Sequence, residues 1–150
     1  ERLARRALEL SPNEPDSLVQ LGWRLAIRGN FEEGVPLVRR AIERSIEPPG
    51  WYHHTLALER LVKGDGEGML LQAELASIDG SATSQALIAA ANNLLGNEAA
   101  AEKAITRMLE IAPDFDPVDG MRVHQPAEEI LVALSAALSP GSPETTMMDW

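Results

Sequence analysis

The chain has 150 residues, with 13 Lys+Arg against 23 Asp+Glu and a net charge of −10 when its three His are neutral; that length suits one domain or one short repeat array. Apolar residues make up 45% and charged residues 24% of the chain, a composition that buries a core and excludes wholesale disorder. Cysteine is absent, which excludes a disulfide framework, a thiolate metal site and a Cys nucleophile and fits a reducing, cytoplasmic setting.

The first predicted helix carries Leu3, Ala4, Ala7, Leu8 and Leu10 on one face and stops at Ser11-Pro12. A second starts at Pro15-Asp16-Ser17, carries Leu18, Leu21, Gly22, Leu25 and Ala26, and closes at Gly29-Asn30. The third is expected over residues 31–45, with Pro36 removing one backbone bond from it. Four more follow: residues 51–62, ended by Gly64-Asp65-Gly66; residues 68–76, ended by Asp79-Gly80; residues 84–95, ended by Gly96-Asn97; and residues 98–111, ended by Pro113. Residues 114–125 read as a loop, and a last helix is expected over residues 126–138. The longest uncharged stretch, residues 80–97, holds Ser, Thr, Gln and Asn and does not read as a membrane span. No stretch alternates apolar and polar residues as a half-buried strand does.

The turn glycines Gly29, Gly64 and Gly96 are 35 and 32 residues apart, close to the ~34-residue period of a helix-turn-helix solenoid. Seven positions before each stands a small residue, Gly22, Ala57 or Ala89, which predicts close approach of the two helices of each pair. Gly34 and Ala101 supply a second small residue on the facing helix, and Met69 departs from that pattern. The helix ends Ala7-Leu8-Glu9-Leu10-Ser11-Pro12 and Met108-Leu109-Glu110-Ile111-Ala112-Pro113 superpose as well.

With these residues the chain resembles the tetratricopeptide repeat family. The first full repeat matches that motif through Leu18, Leu21, Gly22, Leu25, Gly29, Gly34, Ala41 and a displaced Pro48. The second matches through Leu56, Ala57, Gly64 and Ala76, but not at Arg60 and Gly66. The third matches through Ile88, Ala89, Gly96, Ala101 and Pro113, with Asn92 where the motif has a bulky residue. The resemblance implies an all-α solenoid of about three and a half repeats: a half repeat over 1–12, repeats over 15–49, 50–81 and 82–113, then a loop and capping helix over 114–138 covering the third repeat, and a tail over 139–150. The Pro48-Pro49-Gly50-Trp51-Tyr52-His53 insert is similar to the C-terminal repeat modules of bacterial multidomain regulators and class III adenylate cyclases. No cyclase active-site motif accompanies it, and a chain starting at Glu1 without a Met is expected to be a piece of a longer protein.

The groups that could carry chemistry have ordinary structural roles. Gly64-Asp65-Gly66-Glu67-Gly68 is glycine-rich, but Asp65 and Glu67 repel phosphate and the repeat period already requires a turn there. Counted as a calcium loop from Asp114, the positions that need Gly and Glu hold Asp119 and Gln125. His53 and His54, adjacent on a helix, diverge by about 100° and cannot close on one metal. Glu32-Glu33 and Glu128-Glu129 fall in predicted first turns, where the helix dipole favours them. Neither an enzyme nor a metal or cofactor site is expected. Residues 1–60 hold nine Arg among nine acids, and residues 61–150 hold four bases against 14 acids, so nucleic acid is not an expected partner either.

In the tetratricopeptide family the first helix of each pair lines a concave groove. That resemblance projects Val19, Trp23 and Ile27 into the groove from the first repeat, Trp51, His54, Leu58 and Val62 from the second, and Ala86, Ala90 and Asn93 from the third. The expected function is a protein-protein interaction module holding a peptide, a helix or a second copy, or alternatively a structural or regulatory spacer. The apolar end of the tail, Met147-Met148-Asp149-Trp150, is expected to pack into a groove of its own or a neighbouring copy.

Overall fold

The computed structural model describes residues 2–10 and 14–139; the tail that ends in Met147, Met148, Asp149 and Trp150 lies outside them. Among the described residues the protein is all-α, with no strand. The helices are α1 (Arg2–Leu10), α2 (Pro15–Ile27), α3 (Phe31–Glu43), α4 (His54–Val62), α5 (Gly66–Ala76), α6 (Ala82–Leu94), α7 (Glu98–Ile111), α8 (Pro117–Arg122) and α9 (Glu128–Leu138), with a 3-10 turn at Gly50–His53 ahead of α4.

The three hairpins α2–α3, α4–α5 and α6–α7 are closed by one recurring turn. Asn30 N–H donates to Leu25 O and Gly29 N–H to Ala26 O; Asp65 and Gly64 do the same to Arg60 and Leu61, and Asn97 and Gly96 to Asn92 and Asn93. Each is a Schellman closure, which needs a left-handed residue at the glycine position. Gly29, Gly64 and Gly96 accordingly have φ of 94°, 70° and 78°. The residue after each glycine then opens the next helix: Asn30 Oδ1 accepts from Glu33 N–H, and Asp65 Oδ1 from Gly68 N–H.

Side-chain size sets the spacing within the hairpins. A Cβ on Gly22 would lie 2.7 Å from Gly34 O, and one on Gly34 would lie 2.5 Å from Gly22 O, so α2 and α3 touch backbone to backbone. Ala89 and Ala101 are buried at the corresponding place between α6 and α7. In the middle hairpin the corresponding residues, Ala57 and Met69, are both fully buried.

The first helices α2, α4 and α6 contact one another in sequence, and each hairpin contacts the next. α9, expected over the third repeat, lies on this layer of first helices, against α6 of the third hairpin and also against α4 of the second. Ala127 N–H, just ahead of α9, donates to Ile27 O at the end of α2, and Asn93 Nδ2 donates to Ala137 O near the end of α9. Between these two ties Ile130, Leu131, Leu134 and Ala137 enter the main core with Ile27, Leu58, Leu61, Leu87, Ala90 and Ala91. The helix falls where the sequence put it along the chain, Glu128–Leu138 within the expected 126–138, but its apolar face does not by itself say that it reaches α4 as well as α6.

Three local expectations also change. α5 starts at Gly66 because the Asp65 cap sets its first turn. The stretch leading into α4 is a 3-10 turn over Gly50–His53, held by Tyr52 N–H donating to Pro49 O. Part of the expected loop is α8, where Asp116 accepts from Val118 and Asp119 N–H and Pro117 takes the first helical position. α3 runs unbroken through Pro36.

Candidate functional site

Val19, Trp23, Trp51, His54 and Leu58 line one apolar cavity of about 300 Å³, together with Gln20, Thr55, Thr83, Leu87, Met121 and His124. Several elements form its wall. α2 presents Val19, Gln20 and Trp23 at three- and four-residue spacing, so they share a face. The Gly50–His53 turn brings Trp51, and α4 brings His54, Thr55 and Leu58. The first half of α6 gives Thr83 and Leu87, and α8 with the turn after it gives Met121 and His124.

The insert of residues 48–53 is anchored so that Trp51 stands at the rim. Tyr52 is buried, and its hydroxyl donates to the Asp16 carboxylate in the first turn of α2. Burial, and then that bond to an anion, pushes the Tyr52 phenol up to about 12. Trp51 meets Tyr52 edge-on at 4.6 Å between ring centres and remains 39% exposed. On the opposite side Trp23 and His124 meet edge to face, 5.7 Å apart and 88° between planes.

The two adjacent histidines separate. His53 Nδ1 lies 2.8 Å from Gln72 Oε1 on α5, whereas His54 faces the cavity, where burial and the neighbouring His53 hold its imidazole below the ordinary value. Its neutral ring suits an apolar lining.

Of the residues projected into a groove, Val19, Trp23, Trp51, His54 and Leu58 are brought together here. Ile27 and Leu58 are 3% and 1% exposed, and Ile27 and Val62 pack into the core that α9 completes. Ile27, which lines a neighbouring hollow, and the half-buried Val62 are not brought to this cavity, and neither is Asn93, whose Nδ2 donates to the Ala137 carbonyl. Ala86 and Ala90 are buried as well. Met121 and His124 were missed as lining residues. Their signal was Asp116-Pro117 with Asp119 at the third helical position, a helix start that reads equally as an acidic loop.

A smaller hollow of about 230 Å³ adjoins the cavity, lined by Trp23, Arg24, Ile27, Arg28 and His124. Trp23 and His124 belong to both, so their edge-to-face pair is the partition between an apolar chamber and a basic one.

Acid clusters elsewhere are explained by helix starts, as at Asp116, and no group of three or more His, Asp or Glu suited to a metal ion occurs among the described residues. No helix among the described residues is long and apolar enough to cross a membrane. Compared with protein-family models, with curated proteins and with solved structures, the chain has no match in any of the three.

Proposed function

We propose that the chain is a tetratricopeptide-like solenoid module that holds a protein segment in the cavity between Trp23 and Trp51. The observation that carries this reading is the cavity itself: an apolar chamber, rimmed by a partly exposed indole and assembled from several elements. Indole rings bury large area at small entropic cost, which makes them effective anchors for a partner. With α9 filling the rest of the groove, the ligand is a short segment with one bulky apolar side chain rather than a long helix. The partner is a protein or peptide, including a segment of a second copy; nucleic acid, membrane and a catalysed reaction are not part of the proposal, and the setting is cytoplasmic. Selection of random peptides displayed on phage tests it. Selected peptides should bind the protein and lose binding to Trp51→Ser, whose circular dichroism melt stays close to that of the parent. Failure to enrich any peptide, or binding indifferent to Trp51→Ser and Trp23→Ser, overturns the proposal.

The alternative, a structural or regulatory spacer within a longer bacterial protein, is favoured by α9, which occupies the groove with the chain's own residues. Under that reading the cavity is a packing remainder, and the same selection yields nothing.

A further inference from the structure

Charge around the cavity narrows the ligand further, and this step rests on the reading of the cavity as a peptide site. Arg24 in the last turn of α2 and Arg28 at its C-cap are four residues apart, both exposed, and line the hollow that shares Trp23 and His124 with the cavity. Among the described residues neither forms an ion pair, although most of the protein's other exposed cations do, as at Arg5–Glu33 and Arg107–Glu110. Glu129 Oε1 would lie 3.2 Å from a Cβ on Gly29, the residue after Arg28, yet Glu129 pairs with neither guanidinium. At the C-terminal end of α2 the helix dipole favours each of them, while at four-residue spacing they repel each other. They stand unneutralised in a chain of net charge −10, beside the apolar chamber on the first-helix layer.

We infer that the cavity and the basic hollow form one composite site for an acidic amphipathic peptide, with a bulky apolar side chain in the chamber and an Asp or Glu two residues away on Arg24 and Arg28. The geometry suits alternate residues of an extended segment. Successive residues rise by about 3.3 Å and point to opposite sides, so a residue in the chamber places the next but one, on the same side and about 6.6 Å along, across the Trp23–His124 partition. A guanidinium fork takes a carboxylate through two parallel N–H···O bonds. A basic segment is repelled by the same pair, which gives the site a preference by charge as well as by size.

The test uses three fluorescein-labelled peptides that share a central Trp-Leu pair, flanked by Asp and Glu, by Asn and Gln, or by Lys and Arg. Fluorescence anisotropy with the full chain should rank them acidic, neutral, basic, with roughly a tenfold gap between the first two, since two exposed ion pairs together supply about that factor. The gap should shrink as salt is raised. Arg24→Gln with Arg28→Gln should remove the gap while leaving the neutral peptide's affinity unchanged, and a thermal melt confirms that the double variant folds. Equal binding of all three peptides, each lost in Trp51→Ser, overturns the acidic preference and leaves the cavity reading intact. Binding of none overturns both.

Discussion

Gly64 and Gly22 are glycines for different physical reasons, and substitution separates them. Gly64 has a φ of 70°, and a Cβ added to it would have nothing within 4 Å, so Gly64→Ala costs only the left-handed backbone penalty, about 1 kcal/mol. Gly22 has ordinary helical geometry, but its Cβ would meet Gly34 O and Val38 Cγ2, both at 2.7 Å. Gly22→Ala therefore pushes α3 off α2 and should cost about 1–3 kcal/mol, as overpacking does. Urea midpoints at unchanged m-value measure both, and the prediction fails if Gly64→Ala is the more damaging. The sequence shows each glycine through its recurrence, Gly-Asn or Gly-Asp for the turn and the seven-residue offset for the contact. Tyr52 differs, because its partner Asp16 lies 36 positions away and no local pattern announces such a pair. Its hydroxyl titrates near 12 in the fold against 10 in the open chain, so the folded state holds its proton longer. Stability is then lost as pH rises from 10 toward 12. Tyr52→Phe should abolish that alkaline loss, at a cost of about 1 kcal/mol at neutral pH for the missing bond. Thermal melts across the alkaline range check it.

At the scale of elements, helix existence was legible and helix destination was not. Period and caps locate α2 through α7: α3, α5 and α6 each have a turn glycine before them and a capping side chain at the start, and α2, α4 and α7, without a side-chain cap bond, stand out by apolar residues three and four apart. α8 follows the same rules through Asp116 and Pro117, but six residues carry too little periodicity to stand out from the acids around them. α9 has an apolar face that any wet seam would accept, so its docking onto α4 and α6 depends on how far the chain leading from α7 lets it travel. The cavity inherits this limit. Its walls from α2 and α4 follow from repeat positions, whereas Met121 and His124 arrive only because α8 folds back. His54 reports on the assembled wall. Its pKa is depressed by burial from an ordinary 6.5, so the unfolded chain takes up a proton before the fold does. Stability is present above pH 6.5 and is lost as pH falls below that value. His54→Gln should flatten this acid-side loss. Urea unfolding at several pH values on either side would show it, and an unchanged slope would mean that the ring is solvated.

Across the whole molecule, the feature that decides behaviour is that α9 packs on the second and third hairpins while the residue ahead of it is tied to the first. In a linear stack each repeat touches only its neighbours, so the ends can open independently of the middle. Here Ala127 bonds the end of α2, Leu134 and Ile130 sit fully buried among residues of α4 and α6, and Asn93 is tied to Ala137. These links join residues far apart in the chain and make the fate of the first hairpin depend on the third. Leu134→Ala leaves a void at that junction and should cost about 2–5 kcal/mol, more than a truncation at a seam between two neighbouring repeats would give. Its signature lies in the pattern of loss as well as in the amount. Hydrogen exchange on the parent should show α2, α4 and α6 opening with one common free energy, because none can open without releasing α9. In Leu134→Ala the three helices should separate, with α2 exchanging fastest because the buried residue it gives this core is Ile27, at its end, beside the Ala127 to Ile27 hydrogen bond. A uniform drop in protection across all three would mean that the hairpins cohere through their own stacking, and that α9 adds burial without coupling them.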